Sequence, residues 1–349
     1  MKYTTISLSK DDYKVPIPVE KAQSSPDDMV PFGSDNLFPQ QLMDTIESTP
    51  LVTSIIDKVT KYVFGEGVII NGGAIDPNTI VDDQNHNFND LIMGSINDYI
   101  TFGALAIQVR RNGLNEIKKL DRVSLERLRT NENNTRFWYH KKWSRFAKTG
   151  VVYEAFNGDP SQSDSILYYK NPSGRHVYGH APYWCAMNDI VTAKALSEYG
   201  TNTVNNAFTP SAIITLCQGI PTADEAKEVE KKLNEKFSGT KNNAKLMVCF
   251  ADSRDTAPII DAFNSSDINA HYLSLKDQVQ ASILGAFNID GLLIGIHTES
   301  GVFAQSSFEP LFKLFNKTEI QPIQQNIKRV FKRLGYDIEF KPFQINWEE

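Results

Sequence analysis

Residues able to do chemistry are few in this chain, and they are scattered. The densest carboxylate pair is Asp82-Asp83, within a loop rich in Gly, Asn and Asp. A metal-dependent nuclease would need such carboxylates clustered around a divalent cation. His176 and His180 stand four residues apart, a spacing that offers two imidazoles to a metal from one helix face. Pro172, Gly174, Gly179 and Pro182 argue for a loop there instead, and His86, His140, His271 and His297 are dispersed. GEGVIINGG (65–73) lacks the strand, spacing and helix of a phosphate cradle, and no G-x-x-x-x-G-K-[ST] loop occurs. Hydroxyls and carboxylates are plentiful, yet no triad motif surrounds them. The strip TRFWYHKKWSRFAK (135–148) interleaves Arg136, Lys141, Lys142, Arg145 and Lys148 with Trp138, Tyr139, Trp143 and Phe146. It reads either as a stacking, phosphate-binding surface or as a twisted hairpin with one packed and one charged face. No catalytic residue, cofactor or metal site is assigned.

Composition narrows the class further. With 349 residues, 41% hydrophobic and 22% charged, the chain has material for two or more domains and an ordinary core. A net charge of -6 argues against tight binding to nucleic acid, which Lys and Arg drive by neutralising phosphates, but it permits DNA to slide past. No run approaches the roughly 20 apolar residues of a membrane helix, and MKYTTISLSKDD lacks a signal-peptide core, so synthesis in a cytosol is expected. The 3 cysteines, Cys185, Cys217 and Cys249, sit in apolar contexts and are expected to be buried thiols.

The positioning elements are mostly helical. Residues 1–37, rich in Pro, Ser and Asp, predict an extended arm, frayed or laid across a neighbouring subunit. Leu42, Ile46, Val52, Ile55, Ile56, Val59 and Val63 keep helical spacing over 39–64, with a break at Pro50. A helix over 88–102 follows a short strand at VIING, and strands at 104–109 and 117–120 flank the hairpin signal Asn112-Gly113. RFWYHKKW, VVYEAF and ILYYKN read as further strands. A long helix from Trp184 to Phe208 leads to a small insert of strand, capped helix and strand. A second long helix then carries Ile268, Tyr272, Leu275, Val279, Ile283 and Phe287 on one stripe. A final helix is predicted from Ser306, capped with Glu309, to Gly335, kinked near Thr318 because Pro322 removes a backbone donor.

Two long helices joined by a small insert, then a loop and a kinked helix, bring a resemblance into view. It is carried by SDNLFPQ (34–40), DYITFGALAIQVRRNG (98–113), HVYGHAPYWCA (176–186), EYGTNTVNNAFTPSAIITL (198–216), LNEKFSGTKNNAKLMV (233–248) and ILGAFNIDGLLIG (283–295). The Glu309-to-Pro322 spacing completes it. In their order and element types these segments resemble the HK97-like portal proteins of tailed bacteriophages, over most of residues 36–334.

The resemblance implies an α+β, portal-type fold: arm (1–37), wing (38–183), first stem helix (184–209), clip (210–264), second stem helix (265–287), tunnel loop (288–305), kinked helix (306–335) and a short tail (336–349) in place of the crown. It departs from the family at Asn288-Ile289-Asp290-Gly291, where a Val-Pro-Pro run is common. It implies a non-enzymatic virion protein, a dodecameric ring at one capsid vertex through which double-stranded DNA is packaged and ejected. Its implied partners are further copies of itself, the major capsid protein, the large terminase and a head-tail adaptor, with no membrane and no cofactor. It also implies synthesis in the bacterial host cytoplasm and a place at the capsid portal vertex of the virion. The implied channel residues are Ile296, His297, Thr298, Glu299, Ser300, Gly301, Val302 and Gln305, in a stretch without Lys or Arg. Alternatively, Leu292, Leu293 and Ile294 make that loop a buried connector. Lys276 and Gln280 are expected to face the lumen or a neighbouring subunit, and Lys231, Lys232, Glu235 and Lys236 a partner surface on the clip. The competing reading is a nucleic-acid-processing enzyme of a phage packaging or mobile-element system, resting on Asp82 and Asp83.

Overall fold

The computed structural model describes residues 14–21, 23, 25–144, 149–172, 174–206, 212–216, 246–250, 265–296 and 305–343. Packing divides the chain into two units, one of residues 1–191 with 279–349, the other of residues 192–278.

In the first unit, β1 (Met29–Val30) precedes α1 (Phe38–Glu47) and α2 (Pro50–Phe64), which Ser48 and Thr49 separate. The break falls where Pro50 begins a new helix, since proline fits a first turn but not an interior one. After β2 (Val68–Ile70), α3 (Phe88–Phe102) opens on a capping box: the Asp90 amide donates to Asn87 Oδ1 at 2.9 Å and the Asn87 amide to Asp90 Oδ2 at 3.0 Å. Gly103 ends α3 in the left-handed region (φ 68°), and a Cβ there would lie 2.5 Å from the His180 carbonyl carbon. No larger residue fits that close approach.

Strands β3 (Ala104–Arg111), β4 (Ile117–Arg122) and β8 (Asp164–Lys170) form an antiparallel sheet in the order β4-β3-β8. A second sheet runs β1-β5-β6-β7, with β5 at Leu128–Asn131, β6 at Arg136–Tyr139 and β7 at Val151–Glu154. Helix α3 packs on α2 and on β3, and fully buried Ile55, Ile92, Ile96, Leu105 and Ile107 form their common core. Each such side chain contributes about 1.5–3 kcal/mol by leaving water.

The N-terminal segment departs from the expected unpacked arm. Met29 and Val30 pair with Asn131 and Thr130, and the buried Phe32 ring stacks on Tyr178 with centroids 4.0 Å apart. The Glu20 carboxylate accepts the Val177 and Tyr178 amides at 2.7 and 2.9 Å, clipping the segment to its own chain. Proline-rich composition hid a strand of two residues.

At the other end, α6 (Gln305–Phe315) and α7 (Gln321–Arg333) are joined by a π-helical turn, Asn316–Ile320. The Gln321 amide reaches back five residues to the Asn316 carbonyl. This wider turn relieves the missing donor and ring bulk of Pro322, at the place where a kink was expected. The helix begins at Gln305, one residue before the predicted Ser306 cap. Gly335 (φ 87°) closes α7, with the Tyr336 amide on the Phe331 carbonyl and the Gly335 amide on the Lys332 carbonyl, both 3.0 Å. β11 (Ile338–Phe340) then pairs with β2, returning the C-terminal segment to the first unit.

Helices α4 (Met187–Asn206) and α5 (Ser265–Ala286) each contribute to both units. Within the first unit, Ile190, Val279 and Ile283 are buried and Ser282 Oγ donates to Asp189 Oδ2 at 2.5 Å. Within the second, Tyr272 Oη donates to the Leu196 carbonyl at 3.1 Å, and Tyr199 and Leu273 are exposed. The second unit also holds β9 (Ala212–Leu216) and β10 (Leu246–Phe250), paired in parallel. Parallel neighbours require a crossover, which suits the helix predicted between them; that helix lies outside the described residues. Cys185 is exposed, contrary to expectation, because it sits on a short 3-10 turn whose buried side is occupied by Tyr183, Trp184 and Ala186.

Candidate functional site

The segment after α5 is held by side chains from distant parts of the chain. Asn288 (φ 51°) turns the backbone out of the helix, and the Asp290 carboxylate accepts the Leu292 amide at 2.8 Å, capping a 3-10 turn over Gly291–Ile294. Leu293 is 2% exposed, and its carbonyl accepts the Tyr62 hydroxyl at 2.7 Å. Tyr62 sits amid Phe312, Phe315 and Phe343, with ring centroids 5.4, 6.2 and 5.7 Å away. Burial raises its phenol above the ordinary pKa. Gly295 (φ 83°) reverses the backbone, and the Ile296 amide donates to the Gly291 carbonyl at 2.9 Å. The base of the loop is thus packed and hydrogen-bonded. The apolar character of Leu292 to Ile294 serves that anchoring.

Of the expected channel residues, Ile296 is half-buried at the end of this anchor and Gln305 is the first residue of α6. His297, Thr298, Glu299, Ser300, Gly301 and Val302 lie outside the described residues. Lys276 is exposed and Gln280 half-buried, both on α5. Lys231, Lys232, Glu235 and Lys236 lie outside the described residues. Tyr62 escaped the sequence reading because its role depends on Leu293, far along the chain. An aromatic with a polar tip beside Val59 and Val63 was the available signal.

The residues weighed for chemistry are engaged in holding the fold. Asp82 accepts the Gln84 and His86 amides at 2.8 and 2.9 Å and lies 2.6 Å from His86 Nδ1. Burial alone would raise its pKa, but these bonds outweigh burial and lower it. Asp83 pairs with Arg110 at 3.0 Å and with Lys119. His176 and His180 lie in a loop with rings stacked 4.6 Å apart; burial and the neighbouring His176 push His180 down. Among the described residues, no group of three His, Cys, Asp or Glu is placed to hold a metal ion.

In the aromatic strip, Phe137 is fully buried and Trp143 donates its indole N–H to the Arg127 carbonyl at 2.9 Å. Those two rings belong to the packed face of a hairpin. Trp143 also stacks under Arg129, whose guanidinium carbon is 5.0 Å from the ring centre. Arg129 is 0% exposed, and its hydrogen bonds go to amide and carbonyl oxygens of Asn36, Gln40, Glu126 and Leu128, with the Glu126 charge nearby. No helix among the described residues is long and apolar enough to cross a membrane.

The family model described as phage portal protein matches residues 83–345. A chain in the neck of an empty gene transfer agent particle, computed with C6 symmetry, is 16% identical, with 88% of this chain and 85% of that chain covered and a TM-score of 0.63. The neck of the native particle, computed with C12 symmetry, gives 16% identity, 88% and 84% coverage and a TM-score of 0.62. An HK97 family phage portal protein from Corynebacterium diphtheriae is 10% identical, with 86% and 95% coverage and a TM-score of 0.50. No curated protein matches the chain. The architecture is thus a mixed α+β fold shared with these chains. The match over most of its length is decisive: the chain belongs to the phage portal protein family.

Proposed function

We propose that copies of this chain close into a ring at one capsid vertex and line the channel through which double-stranded DNA is packaged and ejected. One observation carries the reading: a loop without Lys or Arg between residues 296 and 305 springs from a base pinned by Tyr62 and Leu293. A rigid root with a tip poor in positive charge suits a surface that DNA must pass, since each phosphate contact adds friction as well as affinity. Ile296 to Val302 and Gln305 form that channel surface. The twelvefold symmetry of a similar neck favours a dodecamer.

In this reading residues 38–183 are the wing, 184–209 and 265–287 the stem, 210–264 the clip and 288–305 the tunnel loop. Lys276 and Gln280 face the lumen or a neighbouring stem. Lys231, Lys232, Glu235 and Lys236 meet the large terminase during packaging and a head-tail adaptor afterwards, and the wing meets the major capsid protein. Subunits join head to tail, because a closed ring cannot use isologous contacts between neighbours. The energy for packaging comes from a partner, as the chain has no phosphate-binding loop of its own. Deleting residues 296–303 tests the assignment. Rings still assemble while DNA packaging or retention fails; loss of assembly instead makes the loop a structural connector.

A further inference from the structure

Beside the π-helical turn, the first unit contains a cleft of about 210 Å³ that the channel reading does not use. Glu319, on that turn, lines it. Its carboxylate is half-buried and has no ion-pair partner among the described residues, and burial raises its pKa. The facing wall is the C-terminal end of α5, where Ala286, Phe287 and Asn288 reach the cleft. A helix C-terminus carries partial negative charge, and α5 has no basic residue in its last turn to answer it.

Two negatively biased groups thus line one space whose lining holds no Lys or Arg; Arg329, outside the lining, bonds Asn326 Oδ1 at 3.4 Å, away from Glu319. The remaining walls suit the rest of an organic cation. Tyr183 and Phe287 present rings stacked 4.3 Å apart, with Ile323 nearby. The Tyr99 hydroxyl, which accepts from Asn326 Nδ2 at 2.9 Å and donates to Asn171, adds a polar floor. Exposed Thr318 and Pro322 form the rim.

We propose that this cleft binds a primary ammonium or guanidinium on a short apolar stem, with the charge against Glu319 and the α5 terminus and the stem along Tyr183, Phe287 and Ile323. The same chemistry has two sources, a free alkylamine or a Lys or Arg side chain of a second copy. Only the second source rests on the ring reading.

The experiment is calorimetric titration of the purified chain with n-butylammonium chloride at constant ionic strength, with n-butanol as the neutral comparison. Native mass spectrometry sorts single chains from oligomers. The wild-type chain binds the amine in preference to the alcohol. Removing the charge by Glu319→Gln weakens binding about tenfold or more, as expected for a charge-assisted hydrogen bond. Thr318→Trp blocks the rim and does the same without touching the carboxylate, so a folded form of either variant decides. If a neighbour's side chain is the occupant, single chains bind the amine and oligomers exclude it; if a free amine is, both bind alike. A preparation that never assembles overturns the ring but leaves the Glu319 result readable. No binding by the wild type, equal binding of n-butanol, or unchanged binding in both variants overturns the proposal.

Discussion

The Tyr62 hydroxyl and the Leu293 carbonyl, 231 residues apart in sequence, meet at 2.7 Å in a buried hydrogen bond. Through it α2 holds the turn from which the candidate channel loop departs. Leu293 O is an acceptor away from water, so losing its donor costs more than the bond itself gains.

Tyr62→Phe keeps the ring among Phe312, Phe315 and Phe343 and removes only the hydroxyl. The variant is expected to lose about 1–3 kcal/mol, read as a lower urea midpoint. Faster hydrogen exchange at the Gly295 and Ile296 amides should accompany it, since both are bonded back into the turn.

Arg129 should be among the most costly side chains to replace. Its donors satisfy oxygens of Asn36, Gln40, Glu126 and Leu128. Arg129→Met leaves several of them buried without a partner, for an expected loss of at least about 3 kcal/mol in urea unfolding. Arg129→Lys restores a charge but not the fork of donors and should rescue little.

These two residues also mark what was legible in the sequence. Local rules sufficed where the cause is local: the period of α3, the break at Pro50, the interruption ahead of Pro322, though not its π-helical form, and the stop at Gly335. Strand β5 was not legible, because Arg129, Thr130 and Asn131 are buried yet polar, and hydrogen bonding rather than apolarity makes that possible. The packed N-terminal segment was missed for a related reason, since Glu20 holds it through two amides that no periodicity announces. At the candidate site, the glycines and apolar run of the loop could be seen in advance. Its anchor Tyr62, and Glu319 in the cleft, acquire meaning only from residues far away in the chain.

Alkaline pH should unfold the protein through its buried phenols. Burial pushes Tyr99 up to about 12 and also raises Tyr168, Tyr178 and Tyr183 above their ordinary value of 10. The unfolded chain loses these protons first. The stability they contribute is therefore complete below pH 10 and falls as pH rises from about 10 to 12. Arg129, pushed down by burial to about 10, acts in the opposite sense, but it is one group against several. Urea midpoints should hold level from pH 7 to about 9 and then decline.

The most direct test is imaging of the purified, assembled chain by electron microscopy. The account predicts closed rings with a central opening, twelvefold when averaged without imposed symmetry. Compact solitary particles with no hole at any concentration where the chain is soluble would contradict it.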